Sequence, residues 1–147
     1  ENTTAELDSQ ALALVGRMFQ VCHHISTEMK TTFVQFGLKQ PSFDVMVTLL
    51  RAGPTQALIP DELLEQMSIA SGAMTSVFKP RKKGWVKRIS NKTDKRSVSV
   101  ALTSTGLKLI NQVIVEHVKR QKVLLALFSE VQQIELNKIL SDYLAKI

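Results

Sequence analysis

The chain has 147 residues, of which 44% are hydrophobic and 22% charged, as expected for one domain or for one protomer that completes its core by dimerising. The net charge is +6, and a single cysteine, Cys22, excludes an intramolecular disulfide. The apolar runs are far shorter than the roughly 20 residues of a membrane span, and the first residues have no signal-peptide pattern, so we expect a cytoplasmic location and no membrane partner.

The N-terminal quarter is predicted to form one long helix. Apolar residues recur from Leu7 to Met29 at steps of three or four, which is a helical stripe close to a heptad pattern. Phe33 and Phe36 extend the stripe, and Gly37 is typical of a helix C-terminal cap. A helix of this length in a small domain rarely packs only on its own chain, so we interpret it as a dimerisation or scaffold helix.

Two helices and a short loop are predicted next. The second helix spans residues 43–51, after Pro41 and Ser42 open it, and it ends at Gly53-Pro54. The loop at residues 55–59 is long enough for one small strand. A third helix is predicted at residues 61–67, where Pro60 and Asp61 suit the first turn.

The next segment predicts a helix-turn-helix unit followed by a hairpin. After a tight turn at residues 68–70, Ser71 is a good N-cap for a fourth helix that ends at Gly84. Helix, short turn and helix form the arrangement whose second helix enters the major groove of DNA. Residues 85–90 and 97–102 are predicted to form the two strands of a hairpin, in which Val98, Val100 and Leu102 alternate as in a half-buried strand. Their connection is polar and basic.

Two helices complete the chain. Thr103 or Ser104 is expected to cap a fifth helix that runs to about Phe128. Ser129 and Gln132 resemble a capping box for the last helix. The predicted class is therefore mostly α with a small β-hairpin.

The positive charge is concentrated in one stretch. Residues 76–96 contain nine Lys or Arg and one acid, a charge of +8 in a chain of net +6. A local basic patch is typical of a polyanion-binding surface. Aromatic residues make up only 5% of the chain, which argues against a single-strand binder that stacks bases.

Several motifs occur together in one order and resemble the MarR family of winged-helix transcription regulators. The resemblance covers about residues 38–144. Its most specific part is the wing signature, in which Asp94-Lys95-Arg96 is followed by an alternating strand and by Leu102-Thr103-Ser104-Thr105-Gly106. The other motifs are Gln40-Pro41-Ser42-Phe43-Asp44-Val45, Gly53-Pro54, Leu58-Ile59-Pro60-Asp61-Glu62-Leu63, Ser71-Gly72-Ala73-Met74-Thr75 and Gly84-Trp85-Val86.

The resemblance implies a winged helix-turn-helix unit at residues 38–103 and dimerisation helices at residues 1–37 and 104–147. It implies a homodimer on a pseudo-palindromic double-stranded DNA operator, with a recognition helix in the major groove and a wing in the minor groove. The DNA contacts that the resemblance implies are Ser71, Thr75 and Ser76 in the recognition helix and Arg96 in the wing, with Arg96 in the minor groove and Asp94 orienting it. The basic run adds Lys79, Arg81, Lys82 and Lys83 of the recognition segment and Lys92 and Lys95 of the wing as further predicted DNA contacts.

The recognition segment departs from the family pattern. Eight residues separate Thr75 from Gly84 where the family usually has about nine, and Pro80 falls inside the predicted helix. A proline there removes a hydrogen bond and kinks the helix, at a cost of about 3 kcal/mol. Either residues are missing here or the helix is distorted, and this departure motivates one alternative, a ligand- or protein-binding relative without specific DNA binding. A second alternative is a non-specific architectural DNA-binding protein.

Asp44, Arg51 and Arg88 match effector-binding positions of the urate-responsive branch of the family. Asp44 and Arg51 are seven residues apart, so two helical turns place them on one face. Two arginines favour a small anionic or phenolic effector. The alternative is a helix-surface ion pair between Asp44 and Arg51, with Arg88 as a wing-base arginine.

The remaining reactive residues predict no catalytic or metal chemistry. Cys22 lies on the apolar stripe and is interpreted as a buried structural cysteine, with an oxidation sensor as the alternative. Neighbouring Cys22, His23 and His24 point about 100° apart on a helix and do not converge on one ion. We interpret His117 as a polar residue at the dimer junction. We expect no cofactor, no metal and no enzymatic activity.

Overall fold

The computed structural model describes residues 2–53, 55, 57–67, 83–90 and 98–147. The described helices are α1 (Asn2–Gln35), α2 (Gln40–Arg51), α3 (Pro60–Gln66), α4 (Ser104–Leu125) and α5 (Glu130–Leu144). The strands are β1 (Ala57–Leu58), β2 (Val86–Ser90) and β3 (Val98–Leu102). The predicted class, mostly α with a small β-hairpin, is confirmed. The segment 68–82, which holds the predicted fourth helix, lies outside the described residues.

The helix ends follow the capping residues that the sequence offers. The chain leaves α1 through Gly37, whose φ of +68° is the left-handed conformation that glycine favours. Helix α2 begins three residues earlier than predicted, because Pro41 fits within its first turn. The predicted capping box of Ser129 and Gln132 at the start of α5 is confirmed.

The three strands form one antiparallel sheet in the order β1-β3-β2. Strands β2 and β3 pair from Val86 opposite Leu102 to Ser90 opposite Val98. Strand β1, the small strand expected in the loop before α3, pairs with β3 through Leu58 opposite Val100. The central strand β3 is therefore covered on both edges, and its second half is buried.

The hydrophobic core lies where the end of α1 meets α2, α3, the sheet and the first half of α4. The buried residues of this cluster are Met29, Phe33, Leu38, Phe43, Val45, Met46, Leu49, Leu63, Met67, Val86, Val100, Leu102, Ile110 and Val113. The predicted apolar stripe of α1 is thus buried only at its C-terminal end. Its N-terminal part is exposed, with Leu14 at 59% and Met18 at 49% of full accessibility.

Helix α5 has no buried residue within one protomer. It nevertheless carries large apolar side chains around its circumference, including Ile134 and Leu144. None of the described helices combines the length and the hydrophobicity needed to cross a membrane.

Candidate DNA-binding surface and effector cavity

The base of the β2–β3 hairpin is joined directly to the first turn of α4. The backbone N–H of Thr103 donates a 3.0 Å hydrogen bond to the carbonyl oxygen of Trp85. This carbonyl lies so close to Gly106 that a Cβ built there would be 2.0 Å from its oxygen. The Leu-Thr-x-x-Gly part of the wing signature therefore has a physical reason: threonine caps α4, and glycine leaves room for the hairpin backbone.

The described part of the basic stretch presents its charges to solvent. Lys83, Lys87 and Arg88 are all exposed, and the latter two lie on the outer edge strand β2. The other predicted DNA contacts lie outside the described residues and stay predictions. They are Ser71, Thr75, Ser76, Lys79, Arg81 and Lys82 of the recognition segment, and Lys92, Asp94, Lys95 and Arg96 of the wing.

A cavity of about 790 Å³ opens between α1, α2 and α4. Of the three predicted effector residues, Asp44 and Arg51 line this cavity, whereas Arg88 on β2 is not part of its lining. Within the described residues Asp44 and Arg51 form no ion pair, so the alternative of a surface salt bridge between them is not realised.

Asp44 is half-buried in the wall of the cavity. Its Oδ1 accepts a 2.8 Å hydrogen bond from the side-chain amide of Gln40, one turn earlier on α2. Burial raises the pKa of the Asp44 carboxyl above its usual value, and the Gln40 hydrogen bond and the nearby His117 offset part of this effect. The carboxylate is therefore the less solvated of the two charges in the lining, since Arg51 is exposed.

His117 faces Asp44 from α4. Its ring stacks on that of Phe33, with 5.5 Å between the ring centroids, and its centroid lies 4.7 Å from that of the Phe43 ring. Nε2 is 3.0 Å from the amide nitrogen of Gln121, while Nδ1 is buried and has no hydrogen-bond partner among the described residues. Burial lowers the pKa of His117, and the nearby Asp44 carboxylate opposes this. The net direction of this shift favours the neutral imidazole.

The sequence did not indicate that His117 belongs to this site. Its position on the apolar face of the predicted helix was visible, and we interpreted it as part of the dimer junction. Its contact with Phe33 and Phe43 depends on packing between three helices, which no local spacing reveals.

The prediction that Cys22 is a buried structural cysteine is wrong. The residue is exposed and lies in the lining of the cavity. The cause is the same as for the rest of the N-terminal stripe: the core elements pack only against the last turns of α1. No group of three or more potential metal ligands occurs in the part of the chain that the structure describes.

A second cavity, of about 430 Å³, lies between α1 and the turn that joins α4 to α5. Its walls are mainly apolar and include Val21, Leu124, Leu127 and Phe128. Leu127 is 80% exposed. The two cavities thus differ in chemistry, since the first contains a carboxylate and an imidazole and the second is largely hydrophobic.

No protein-family model matches the chain, whereas individual related proteins and solved structures do. The chain is 30% identical over 140 residues to the HTH-type transcriptional regulator PecS of Dickeya dadantii (strain 3937), an alignment covering 95% of this chain and 84% of PecS. It is 23% identical over 146 residues to the HTH-type transcriptional repressor YetL of Bacillus subtilis (strain 168), covering 99% and 87%. A mutant of MarR from E. coli complexed with operator DNA has a similar fold, with a TM-score of 0.79 at 23% identity over 92% of this chain and 96% of that one. The chain belongs to the MarR family of winged helix-turn-helix transcriptional regulators.

Proposed function

We propose that this protein is a homodimeric repressor that binds a pseudo-palindromic operator in duplex DNA in the cytoplasm and is released by a small molecule. The proposal rests chiefly on the basic connection between β2 and β3. These strands pair in register, and the residues that connect them in the sequence, 91–97, include Lys92, Lys95 and Arg96. A basic hairpin tip suits the minor groove, where phosphates and narrow-groove potential attract arginine.

The homodimer is supported by the apolar surface that one protomer leaves uncovered. Helix α5, the connection before it and the N-terminal part of α1 expose large side chains, among them Phe19 at 72% and Ile134 at 71%. Large exposed apolar side chains in such number favour a protein interface. A second copy would bury this surface. The resulting dimer would place two winged helix-turn-helix units on one duplex, as a pseudo-palindrome requires.

The effector is supported by the cavity that contains Asp44. Its volume of about 790 Å³ falls within the range of roughly 300–1,000 Å³ typical of small-molecule sites. It also lies between α2, which belongs to the proposed winged unit, and helices α1 and α4 of the proposed dimerisation segments. A ligand bound there would alter the distance between the two winged helix-turn-helix units of the dimer. We propose that this change releases the protein from DNA.

Selection of duplexes from a random DNA pool tests the proposal. We expect enrichment of an inverted repeat whose half-sites are about one helical turn apart, with retention that falls steeply as salt rises. Retention of all duplexes without enrichment would indicate the architectural alternative. A folded protein that retains no duplex would instead indicate a ligand- or protein-binding relative.

A further inference from the structure

We propose that the cavity between α1, α2 and α4 takes a planar aromatic cation with paired N–H donors, of the amidine class, bound through the carboxylate of Asp44. The inference rests on the proposed function, because it assigns a ligand class to the site through which the repressor would be released. It differs from the anionic or phenolic effector that the two arginines of the sequence favour.

The charges in the lining are the first argument. Asp44 and Arg51 are the acidic and basic side chains among the described residues that line the cavity, and burial favours the neutral form of His117. Asp44 is half-buried, while Arg51 is exposed and is screened by solvent. A ligand inside the cavity therefore meets a carboxylate more closely than it meets a guanidinium. Arg88, the second arginine that favoured an anion, does not line the cavity.

The unused hydrogen-bonding capacity of Asp44 is the second argument. An ionised carboxylate offers about four acceptor sites, and among the described residues only Gln40 donates to the Asp44 side chain, at Oδ1. The free acceptor sites match two parallel N–H donors, which is the bidentate geometry that strengthens charge-assisted pairs. A cation would also compensate for the loss of hydration that raises the pKa of Asp44.

The shape and polarity of the walls are the third argument. Most of the lining is apolar, with Met29, Phe43, Val47 and Ile114 around the carboxylate. Such walls suit an aromatic frame, which buries apolar area and can lie against aromatic rings. An aromatic carboxylate would fit the same walls but would bring a second negative charge beside Asp44, which is unfavourable at low solvation.

An isosteric pair of probes, benzamidine and benzoate, tests the ligand class. Both are flat phenyl compounds of nearly equal size, and they differ in carrying an amidinium or a carboxylate. Titration calorimetry on the full chain at pH 7 should give an affinity for benzamidine at least about tenfold higher than that for benzoate. Equal affinity, tighter binding of benzoate, or no heat from either probe at millimolar concentration would overturn the proposal.

The variant Asp44→Asn tests the residue. It keeps the size of the side chain but removes the charge, so the affinity for benzamidine should fall by about tenfold or more. Asp142→Asn, the same change at an exposed position of α5 outside the cavity, should leave the affinity unchanged. Benzamidine binding that survives Asp44→Asn would refute the assignment. The comparison of probes on the unaltered protein decides the ligand class even if that variant does not fold.

Duplex selection on the same preparation separates this inference from the proposed function. If an inverted repeat is enriched and benzamidine does not bind, the ligand class is wrong and the repressor proposal stands. If benzamidine binds through Asp44 and no duplex is enriched, the cavity assignment stands and the repressor proposal is wrong. If both hold, benzamidine should also release the enriched duplex in a concentration-dependent manner.

Discussion

The hydroxyl group of Thr103 donates a 2.6 Å hydrogen bond to the carbonyl oxygen of Gly84, which joins the start of α4 to the chain that enters β2. The same oxygen of Thr103 accepts a 3.0 Å hydrogen bond from the N–H of Gly106, as an N-cap does. The Thr103 side chain therefore both contacts the chain that enters the hairpin and caps the first turn of α4. Because of this link, the proposed wing is held in a fixed orientation relative to α4.

Thr103→Val should destabilise the protein by roughly 1–2 kcal/mol, because it removes the cap of α4 and the hydrogen bond to Gly84. Urea unfolding at a fixed protein concentration measures the effect. Thr103→Ser keeps the hydroxyl and should retain most of the stability. A valine variant as stable as the serine variant would show that the hydrogen bond contributes little.

Gly106→Ala should destabilise the protein by roughly 1–3 kcal/mol or more, despite the higher helix propensity of alanine. The added Cβ would meet the carbonyl group of Trp85 at 2.0 Å, and this group is backbone that is fixed by the hairpin. Gly16→Ala in α1 is the matched control, since nothing lies within 4 Å of its Cβ position. There alanine should raise the free energy of unfolding by up to about 1 kcal/mol. Similar effects at both glycines would contradict the steric argument.

The elements whose limits are set by local chemistry were predictable from the sequence. The cap at Ser129 and the left-handed Gly37 are each determined within a few residues, and the structure has both. The alternation expected of β3 is not seen in its burial, because Val100, Ala101 and Leu102 are all buried. The loop before α3 could also supply the small strand β1. Its pairing with β3, Leu58 opposite Val100, joins segments that are distant in the chain and has no local signal.

The parts that depend on contacts between distant segments could not be predicted in the same way. Cys22 belongs to a regular apolar stripe on α1. The spacing of this stripe does not indicate that only the C-terminal end of α1 packs against the core. His117 on α4 and Asp44 on α2 line the same cavity although they are 73 positions apart in the chain. Asp44 and Arg51 were found because both lie on one helix, where spacing specifies the face.

His117→Gln should reduce the loss of stability that the protein shows between about pH 7.5 and about pH 5.5. Burial lowers the pKa of His117 in the folded state below its model value of 6.5. Below pH 6.5 the unfolded chain therefore binds this proton first, so the free energy of unfolding falls as the pH falls toward the folded pKa. Well above pH 6.5 the residue is neutral in both states and contributes little pH dependence.

The contribution of Asp44 has the opposite sign. Its folded pKa is raised above 3.8, so the folded state binds the proton more tightly and stability decreases as the pH rises through that window. Urea unfolding at both pH values, for the parent and for His117→Gln, isolates the histidine as a difference between the two proteins. Parallel pH profiles would show that His117 is not held neutral by its packing against Phe33 and Phe43.

Arg96→Ala should weaken operator binding by roughly 1–3 kcal/mol and leave the dimer intact. The expected cause is loss of the arginine that the wing would insert into the minor groove. Titration of the enriched duplex by fluorescence anisotropy measures the change. Lys138→Ala removes one positive charge from α5 and serves as the control for net charge. Equal affinities of Arg96→Ala and Lys138→Ala for the duplex would show that the wing is assigned incorrectly.

Leu127→Glu should raise the dimer dissociation constant by roughly ten- to a hundredfold. Leu127 is 80% exposed in one protomer and lines the apolar cavity beside α1. Burial of a leucine contributes about 1.5–3 kcal/mol, and every 1.4 kcal/mol changes a dissociation constant by about tenfold. Thr55→Glu adds the same charge at an exposed polar position outside both proposed dimerisation segments and should change the constant little. Sedimentation equilibrium over a range of concentrations measures both constants. If Leu127→Glu dimerises as tightly as the parent, this apolar surface has a partner other than a second copy of the chain.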